Sequence, residues 1–144
     1  MKGFRRNKIT RPVGAGLTYC AGFDLAVRAD APVSLTIDVD HQRSGGTDLR
    51  PPRRLGSFHV QVSPTETVLR LETDEGPLGH PCAELIRFVV STEGSGISEL
   101  VIMETQTACE AQVVGGDGWT AFYPVFTGPN GVRLEYRPLH GYLD

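Results

Sequence analysis

The chain has 144 residues, which is the length of one domain and enough to bury about two-thirds of the surface of the unfolded chain. Its net charge of −3 is uneven, because residues 1–11 contain five basic side chains and no acid. The 3 cysteines are spaced too widely for a Cys-x-x-Cys metal or redox motif, and no apolar run of about 18 residues predicts a membrane span.

Residues 1–16 are predicted to form a basic arm or a first strand. A local charge of this size suits nucleic acid, an anionic glycan or an acidic neighbouring subunit, and a solvated terminus is the alternative. We do not expect nucleic acid as the partner, and we expect no signal peptide because no apolar stretch follows the basic residues. The arm residues expected to contact a partner are Lys2, Arg5, Arg6, Lys8 and Arg11.

Residues 19–39 hold the clearest pattern in the sequence. Large apolar residues alternate with small or polar ones over 19–28 and again over 33–39, with a turn-like Ala-Asp-Ala-Pro between them. A period of two is typical of a strand with one buried face, so the sequence predicts a β-hairpin here. A hairpin is stable only with further strands, which predicts a sheet with one face on a core.

Residues 40–57 are predicted to be the longest polar connection. A loop of this length in a compact domain is usually functional or mobile, and guanidinium groups suit phosphate, carboxylate or sugar contacts. A solvated loop is the alternative. The candidate binding residues on it are Arg43, Arg50, Arg53 and Arg54.

Alternation predicts more strands around residues 58–62, 69–72, 99–104 and 132–137. Residues 82–90 also fit a short helix, but the Phe-Val-Val run and the strand-rich surroundings favour a strand. About seven to nine strands with no predicted helix indicate an all-β fold, an antiparallel sandwich of jelly-roll type. We expect one such domain over 17–144, with an aromatic, Gly-rich C-terminal extension over 106–144.

Three stretches in this order resemble the galactose-binding-like jelly roll of carbohydrate-binding modules of the family 4/9 type. They are residues 19–37 with their Ala-Asp-Ala-Pro turn, residues 57–71, and residues 86–102 with Gly-Ser-Gly-Ile before the last strand. The resemblance covers about residues 17–105 and implies this fold and a sugar-binding function. The closing Asp-Asp of the family is Ser98-Glu99 here, and no binding residue of the family can be transferred one by one.

The sequence contains none of the common catalytic motifs. It has no Gly-x-Ser-x-Gly, His-Glu-x-x-His or Gly-x-x-x-x-Gly-Lys, and its 4 histidines are not at metal-ligand spacing. Asp38 and Asp40, beside His41, suit a hard cation such as calcium, but exposed carboxylates on a strand are more often its solvated face. We therefore expect no catalytic residue, no metal and no cofactor.

Aromatic residues cluster between two Gly-rich turns at 115–118 and 128–131. Alternation puts Trp119 and Tyr123 on one face and Phe122 on the other. One face is expected to be core and the other an aromatic surface for a sugar ring or a partner protein. The alternative is that all of them complete the core.

These features predict a non-catalytic structural or binding subunit of a larger assembly. By analogy, we expect a bacteriophage virion component (a capsid decoration, head-fibre or tail protein), forming a homo-oligomer or contacting neighbouring subunits. A stand-alone carbohydrate-binding module is the alternative function, and the cytoplasm is the alternative to a location in the virion. A small enzyme of unknown chemistry ranks third.

Overall fold

The computed structural model describes the backbone of residues 9–10, 17–45, 48–49, 51–73, 77–78, 83–92, 96–105 and 108–143. Side-chain environments are described for residues 22–42, 51–73, 84–92, 96–105 and 108–138. In these ranges the chain is almost entirely β-strand, with one short 3₁₀ turn at Pro129–Gly131.

The strands are β1 (Ile9–Thr10), β2 (Leu17–Arg28), β3 (Val33–Gly45), β4 (Asp48–Leu49), β5 (Arg53–Val62), β6 (Thr67–Glu72), β7 (Pro77–Leu78), β8 (Ala83–Thr92), β9 (Ile97–Thr105), β10 (Ala108–Gly115), β11 (Thr120–Phe122), β12 (Val125–Thr127) and β13 (Arg133–Leu143). They form two antiparallel sheets that pack face to face. Sheet A has the order β10-β9-β8-β3-β5, with β1 beside β10 and β4 beside β3; sheet B has the order β11-β12-β13-β2-β6, with β7 beside β2. The predicted all-β antiparallel sandwich is confirmed.

The strands over residues 19–39 are confirmed, but the hairpin that was predicted to join them is wrong. β2 belongs to sheet B, where it pairs with β13 and β6, and β3 belongs to sheet A, where it pairs with β5 and β8. The turn at 29–32 carries the chain across the sandwich. Both strands bury their apolar faces in the same core, and alternation alone does not show whether two buried strands share a sheet.

The predicted long loop over 40–57 is also wrong. β3 continues to Gly45 and β5 begins at Arg53, so the connection runs only over 46–52 and includes β4. The second half of β3 is a strand although its residues are polar, because β8 pairs with it as far as Ser44. Backbone pairing on a central strand holds this segment without an apolar pattern.

The segment 106–144 is an integral part of the sandwich. β10 lies in sheet A, and β13 is the central strand of sheet B, between β12 and β2. β8 confirms the strand interpretation of residues 82–90, and β12 and β13 pair through the Gly-Pro-Asn-Gly turn. β10 was not predicted, because Ala108, Ala111 and Gly115 give it a weak apolar alternation.

Aromatic rings from both sheets meet in the centre of the core. The ring of Phe23 lies 6.1 Å from that of Phe88 and 5.1 Å from that of Tyr136, and Phe88 lies 6.2 Å from Phe126. All four side chains are fully buried. Since Phe88 belongs to sheet A and the other three to sheet B, these contacts join the two layers.

The connections gather at two ends of the sandwich. We call end I the end with the turns at 29–32, 63–66, 116–119 and 128–132, together with the junction between β8 and β9. End II is the opposite end, where β3 meets β4 and where β8, β9 and β10 approach one another. The candidate sites below are placed with respect to these ends.

Candidate functional site

The aromatic residues that were predicted to form a binding surface differ in their burial. Trp119 and Tyr123 are each 8% exposed and belong to the core, whereas Phe122 is 61% exposed. The prediction that alternation separates these residues onto two faces is confirmed. The aromatic group that faces solvent on this segment is Phe122, on the outer strand of sheet B.

The four predicted arginines are not gathered on one described loop. Arg53 and Arg54 are neighbouring exposed residues at the start of β5. The Nε of Arg54 donates a hydrogen bond to Oδ1 of Asp40 at 2.5 Å, and its Nη1 lies 3.8 Å from Oδ1 of Asp38. Arg54 therefore lies beside Asp38 and Asp40, the two carboxylates considered above as ligands of a calcium ion. Outside the described side chains lie Arg43, Arg50, Lys2, Arg5, Arg6, Lys8 and Arg11.

A pocket of about 240 Å³ opens at end I, and we call it the Trp119 pocket. The ends of β8 and β9 form one wall, and the turns before β11 and before β13 form the other. Its polar residues are Thr92, Ser98 and Asp117, and Pro129 adds apolar surface beside Trp119. The pocket therefore combines hydroxyl and carboxylate groups with an apolar wall.

Two glycines allow the pocket walls to approach. Gly116 has a φ of +95°, and a Cβ atom there would overlap Ser98. A Cβ atom at Gly128 would overlap the indole ring of Trp119, so the backbone of this glycine lies directly against that ring. The Gly-rich turns seen in the sequence therefore have a packing role, which only glycine can fill at these approaches.

Thr92 is the unusual residue of the Trp119 pocket. It is 7% exposed, and its hydroxyl oxygen is buried without a hydrogen-bond partner in the described part of the chain. An unsatisfied buried group of this kind costs about 1–3 kcal/mol, and its presence in a native fold calls for an explanation. A rotation of about 120° in χ1 exchanges the positions of the threonine methyl and hydroxyl groups. Because Thr92 lines the pocket, such a rotation lets a ligand in the pocket form a hydrogen bond with the hydroxyl.

The variant Thr92→Val is expected to fold and to have a free energy of unfolding about 1 kcal/mol higher than the wild type. Valine keeps the shape of the side chain and removes a buried hydroxyl that forms no hydrogen bond. Urea denaturation measures the difference. A loss of stability larger than about 1 kcal/mol would mean that the hydroxyl has a partner in the folded protein.

A second polar group lies inside the sandwich at end II. His41 Nε2 and Glu84 Oε2 share a short hydrogen bond, and Tyr136 Oη donates to Glu104 Oε1 at 2.6 Å. The Cys109 thiol donates to Glu104 Oε2 at 3.7 Å, and the two glutamates face each other in register across β8 and β9. All five side chains are buried, so this cluster ties β3, β8, β9, β10 and β13 together inside the sandwich.

Sequence reasoning missed this buried cluster, although a signal was present. Glu84 precedes Ile86 and Phe88 at the same two-residue spacing, and Glu104 follows Ile102 in the same way. Both glutamates therefore occupy inward positions of apolar strands. Among the described residues, no group of three or more His, Cys, Asp or Glu side chains is arranged to hold a metal ion.

Paired charges cover the outer face of sheet B. Arg70 donates two hydrogen bonds to Asp24, at 2.7 and 2.9 Å, and Arg137 donates two to Glu66, at 2.9 and 3.2 Å. The hydrogen bond from Arg70 lowers the pKa of Asp24. The pKa of Glu66 is lowered mainly by the hydrogen bonds from Arg137, and further by the charges of Arg137 and Arg28.

Replacing Asp24 with asparagine is expected to flatten the acid limb of the stability profile. Because the pKa of Asp24 is lower in the folded chain than its usual 3.8, this group stabilises the fold above the unfolded pKa and loses that contribution as pH falls through the folded pKa. Urea denaturation of both proteins from about pH 2 to pH 6 measures the effect. Arg70→Gln removes the same pairing and should flatten the same limb, whereas an unchanged slope in both variants would refute the role of the pair.

Comparison with known protein families, with curated proteins and with solved structures gives no significant match to this chain. Within the described part of the chain, no helix has the length and the apolar character needed to cross a lipid bilayer. The functional inference therefore depends on the residues of this chain.

Proposed function

We propose that this chain is a non-catalytic binding subunit whose Trp119 pocket takes a small hydroxylated ligand of the sugar class. The observation that carries the proposal is the Thr92 hydroxyl, which is buried without a partner in the wall of this pocket. A ligand hydroxyl that forms a hydrogen bond with Thr92 would remove the free-energy cost of burying this hydroxyl without a partner. Only the complex contains this hydrogen bond, so it favours binding.

The composition of the pocket supports a sugar more than a purely apolar ligand. Thr92, Ser98 and Asp117 offer hydrogen-bonding groups on one side, and Trp119 and Pro129 offer apolar contact on the other. A sugar ring has both hydroxyl edges and apolar C–H faces. The volume of about 240 Å³ is below the range of about 300–1,000 Å³ typical of drug-sized ligands, which favours a single ring or the end of a chain.

The resemblance of residues 17–105 to carbohydrate-binding modules agrees with this proposal. The location of the pocket at the loop-bearing end of a rigid sandwich also agrees, since binding residues are commonly placed on loops held by such a scaffold. The proposal is for binding without catalysis because Asp117 is the single carboxylate among the described residues that line the pocket, whereas glycoside hydrolysis generally uses a pair.

A glycan array tests this proposal. Labelled wild-type protein is expected to bind a defined subset of glycans, and Asp117→Ala is expected to weaken that binding tenfold or more, because Asp117 is an exposed pocket residue whose loss should not affect folding. Glu72→Ala, an exposed residue on β6, is the matched control and should bind like the wild type. No binding to any glycan, or equal binding by Asp117→Ala, would refute the proposal.

We also propose that the subunit docks on further copies of itself, as a virion component of the capsid-decoration, head-fibre or tail type would. Phe122 on β11 favours this, with Val125 beside it in register on β12. They form an apolar pair near one edge of sheet B, in which Val125 is half-buried, and aromatic residues are enriched in protein interfaces. The arm is basic and the rest of the chain is acidic, so the arm of one copy would be attracted to another copy.

Native mass measurement tests the assembly. The full chain is expected to form a defined oligomer, and both Phe122→Ser and deletion of residues 1–8, which leaves β1 in place, are expected to shift it towards the monomer. If the full chain is a monomer at all accessible concentrations, docking between copies is wrong. The sugar proposal is unaffected by that result.

A further inference from the structure

Two arginines lie directly opposite each other on the outer face of sheet B at end I. Arg133 on β13 pairs in register with Arg28 on β2 and, on its other side, with Thr127 on β12. Like charges opposite each other on neighbouring strands destabilise a sheet. This row therefore differs from the rest of the face, where charges alternate.

The other arginines of this face are matched by carboxylates at short distance. Arg70 and Arg137 each donate two hydrogen bonds to one carboxylate. The contact of Arg133 is longer, 3.5 Å from its Nη2 to Oε1 of Glu135, and its Nε is buried with no hydrogen-bond partner. Among the described residues Arg28, which is exposed, forms no ion pair within 4 Å, and its charge acts on Glu66 only at longer range.

Both arginines line a cleft of about 370 Å³, which we call the arginine cleft. Its other lining residues are Ala29, Asp30, Pro64, Thr127 and Gly131. A neighbouring groove of about 200 Å³ runs over Ala26, where Arg137 joins Arg28 and Arg133. Three guanidinium groups and the carboxylates of Glu66 and Glu135 thus line this groove.

We propose that the arginine cleft binds a phosphate or sulfate group between Arg28 and Arg133. The planar fork of a guanidinium donates two parallel hydrogen bonds to such an oxyanion, and one oxyanion between two arginines cancels their repulsion. The exposed part of the Arg133 guanidinium gains an acceptor, and the hydroxyl of Thr127 extends the row of donors. A tetrahedral group matches this spread of donors better than a planar carboxylate.

Three acidic residues limit the affinity of the arginine cleft. Glu66 and Glu135 line the neighbouring groove and both contact Arg137, and Asp30 lies in the cleft wall with its carboxylate against the backbone of Gly131. All three repel an incoming anion. Binding of an isolated ion is therefore weak and falls with ionic strength, and Asp30→Asn is expected to strengthen it.

The arginine cleft is distinct from the Trp119 pocket, although the two share a wall. Pro129 lines the pocket and Gly131 lines the cleft, so the turn between β12 and β13 separates them. The inference goes beyond the proposed function, since the cleft residues would hold an oxyanion whether or not the pocket holds a sugar.

The test is an NMR titration of the full chain with sodium sulfate and with sodium phosphate, against sodium chloride at the same ionic strength. We expect saturable shifts around the cleft with the two oxyanions, a loss of affinity of tenfold or more in Arg28→Gln and in Arg133→Lys, and a gain of severalfold in Asp30→Asn. Arg133→Lys keeps the charge and removes the fork, so it also separates specific binding from general attraction.

Arg70→Gln is the matched control, because it removes an arginine of the same face that already has a carboxylate partner. Equal shifts with chloride, or equal weakening by Arg70→Gln, would overturn the proposal. Dextran sulfate and unsulfated dextran identify the source of the group. Binding of dextran sulfate at least tenfold tighter than free sulfate, through Arg28, assigns the cleft to an ester on a polymer, whereas equal affinity assigns it to the free ion.

Discussion

Phe126→Ala is expected to lower the free energy of unfolding by about 3–5 kcal/mol, whereas Phe122→Ala should change it by less than about 0.5 kcal/mol. The two phenylalanines belong to the same short aromatic segment. Phe126 is fully buried and touches the ring of Phe88, so its removal leaves a cavity at the contact between the sheets. Phe122 is mostly in solvent, and its removal leaves no cavity.

Urea denaturation of the two variants at neutral pH measures this contrast directly. The comparison holds chemistry constant, because both changes remove one phenyl group from neighbouring strands of sheet B. Similar losses in both variants would contradict the burial pattern of β11 and β12. This result would also exclude Phe122 as a docking residue, since the Phe122 ring would then be needed for folding.

Gly22→Ala is expected to destabilise the protein by about 2–4 kcal/mol. Gly22 lies within β2 with a φ of +154°, and a Cβ atom there would overlap the carbonyl oxygen of Leu71 on β6. The clash is with backbone, so it can be relieved only by moving one strand of sheet B away from another. Alanine at this position therefore costs both backbone strain and a weakened strand pair.

Gly96→Ala is the control for this prediction. No heavy atom lies within 4 Å of a Cβ placed at Gly96, so the change should be neutral within about 0.5 kcal/mol. Thermal denaturation followed by circular dichroism compares the two variants. A Gly22→Ala protein as stable as the wild type would show that β2 and β6 are farther apart than described.

Alternation was sufficient to find the strands of the sandwich but not their partners. The pattern of β2 and β3 is the same whether they form a hairpin or face each other across a core, because in both cases one side of each strand is buried. The turn between them is short in either arrangement. Only the pairing of β2 with β13, more than 100 residues away in the sequence, decides the question.

Polar strands were the least predictable part of the fold. The second half of β3 carries Asp40, His41 and Gln42, a composition that resembles a loop. It is a strand because β8 supplies hydrogen bonds along its length, and His41 points inward to Glu84. A polar residue at a buried position has no signature in an apolar pattern, and its partner lies far away in sequence.

The candidate site was only partly visible in the sequence. Trp119 was singled out as a candidate binding residue without a decision on which aromatic face is buried, and it is a buried wall of a pocket. Thr92 and Ser98 gave no signal, since single hydroxyl residues at strand ends are common. What distinguishes Thr92 is the absence of a partner for its hydroxyl, and that is a property of the packed structure.

The most direct test of the binding proposal is a fluorescence titration. Trp119 is the single tryptophan of the chain and lies in the pocket wall, so its emission reports on that pocket alone. With the best glycan from the array, we expect a saturable change in emission for the wild type and about tenfold weaker binding for Thr92→Val, because valine cannot accept or donate the ligand hydrogen bond. No change in emission, or an identical titration for Thr92→Val, would contradict a sugar site in the Trp119 pocket.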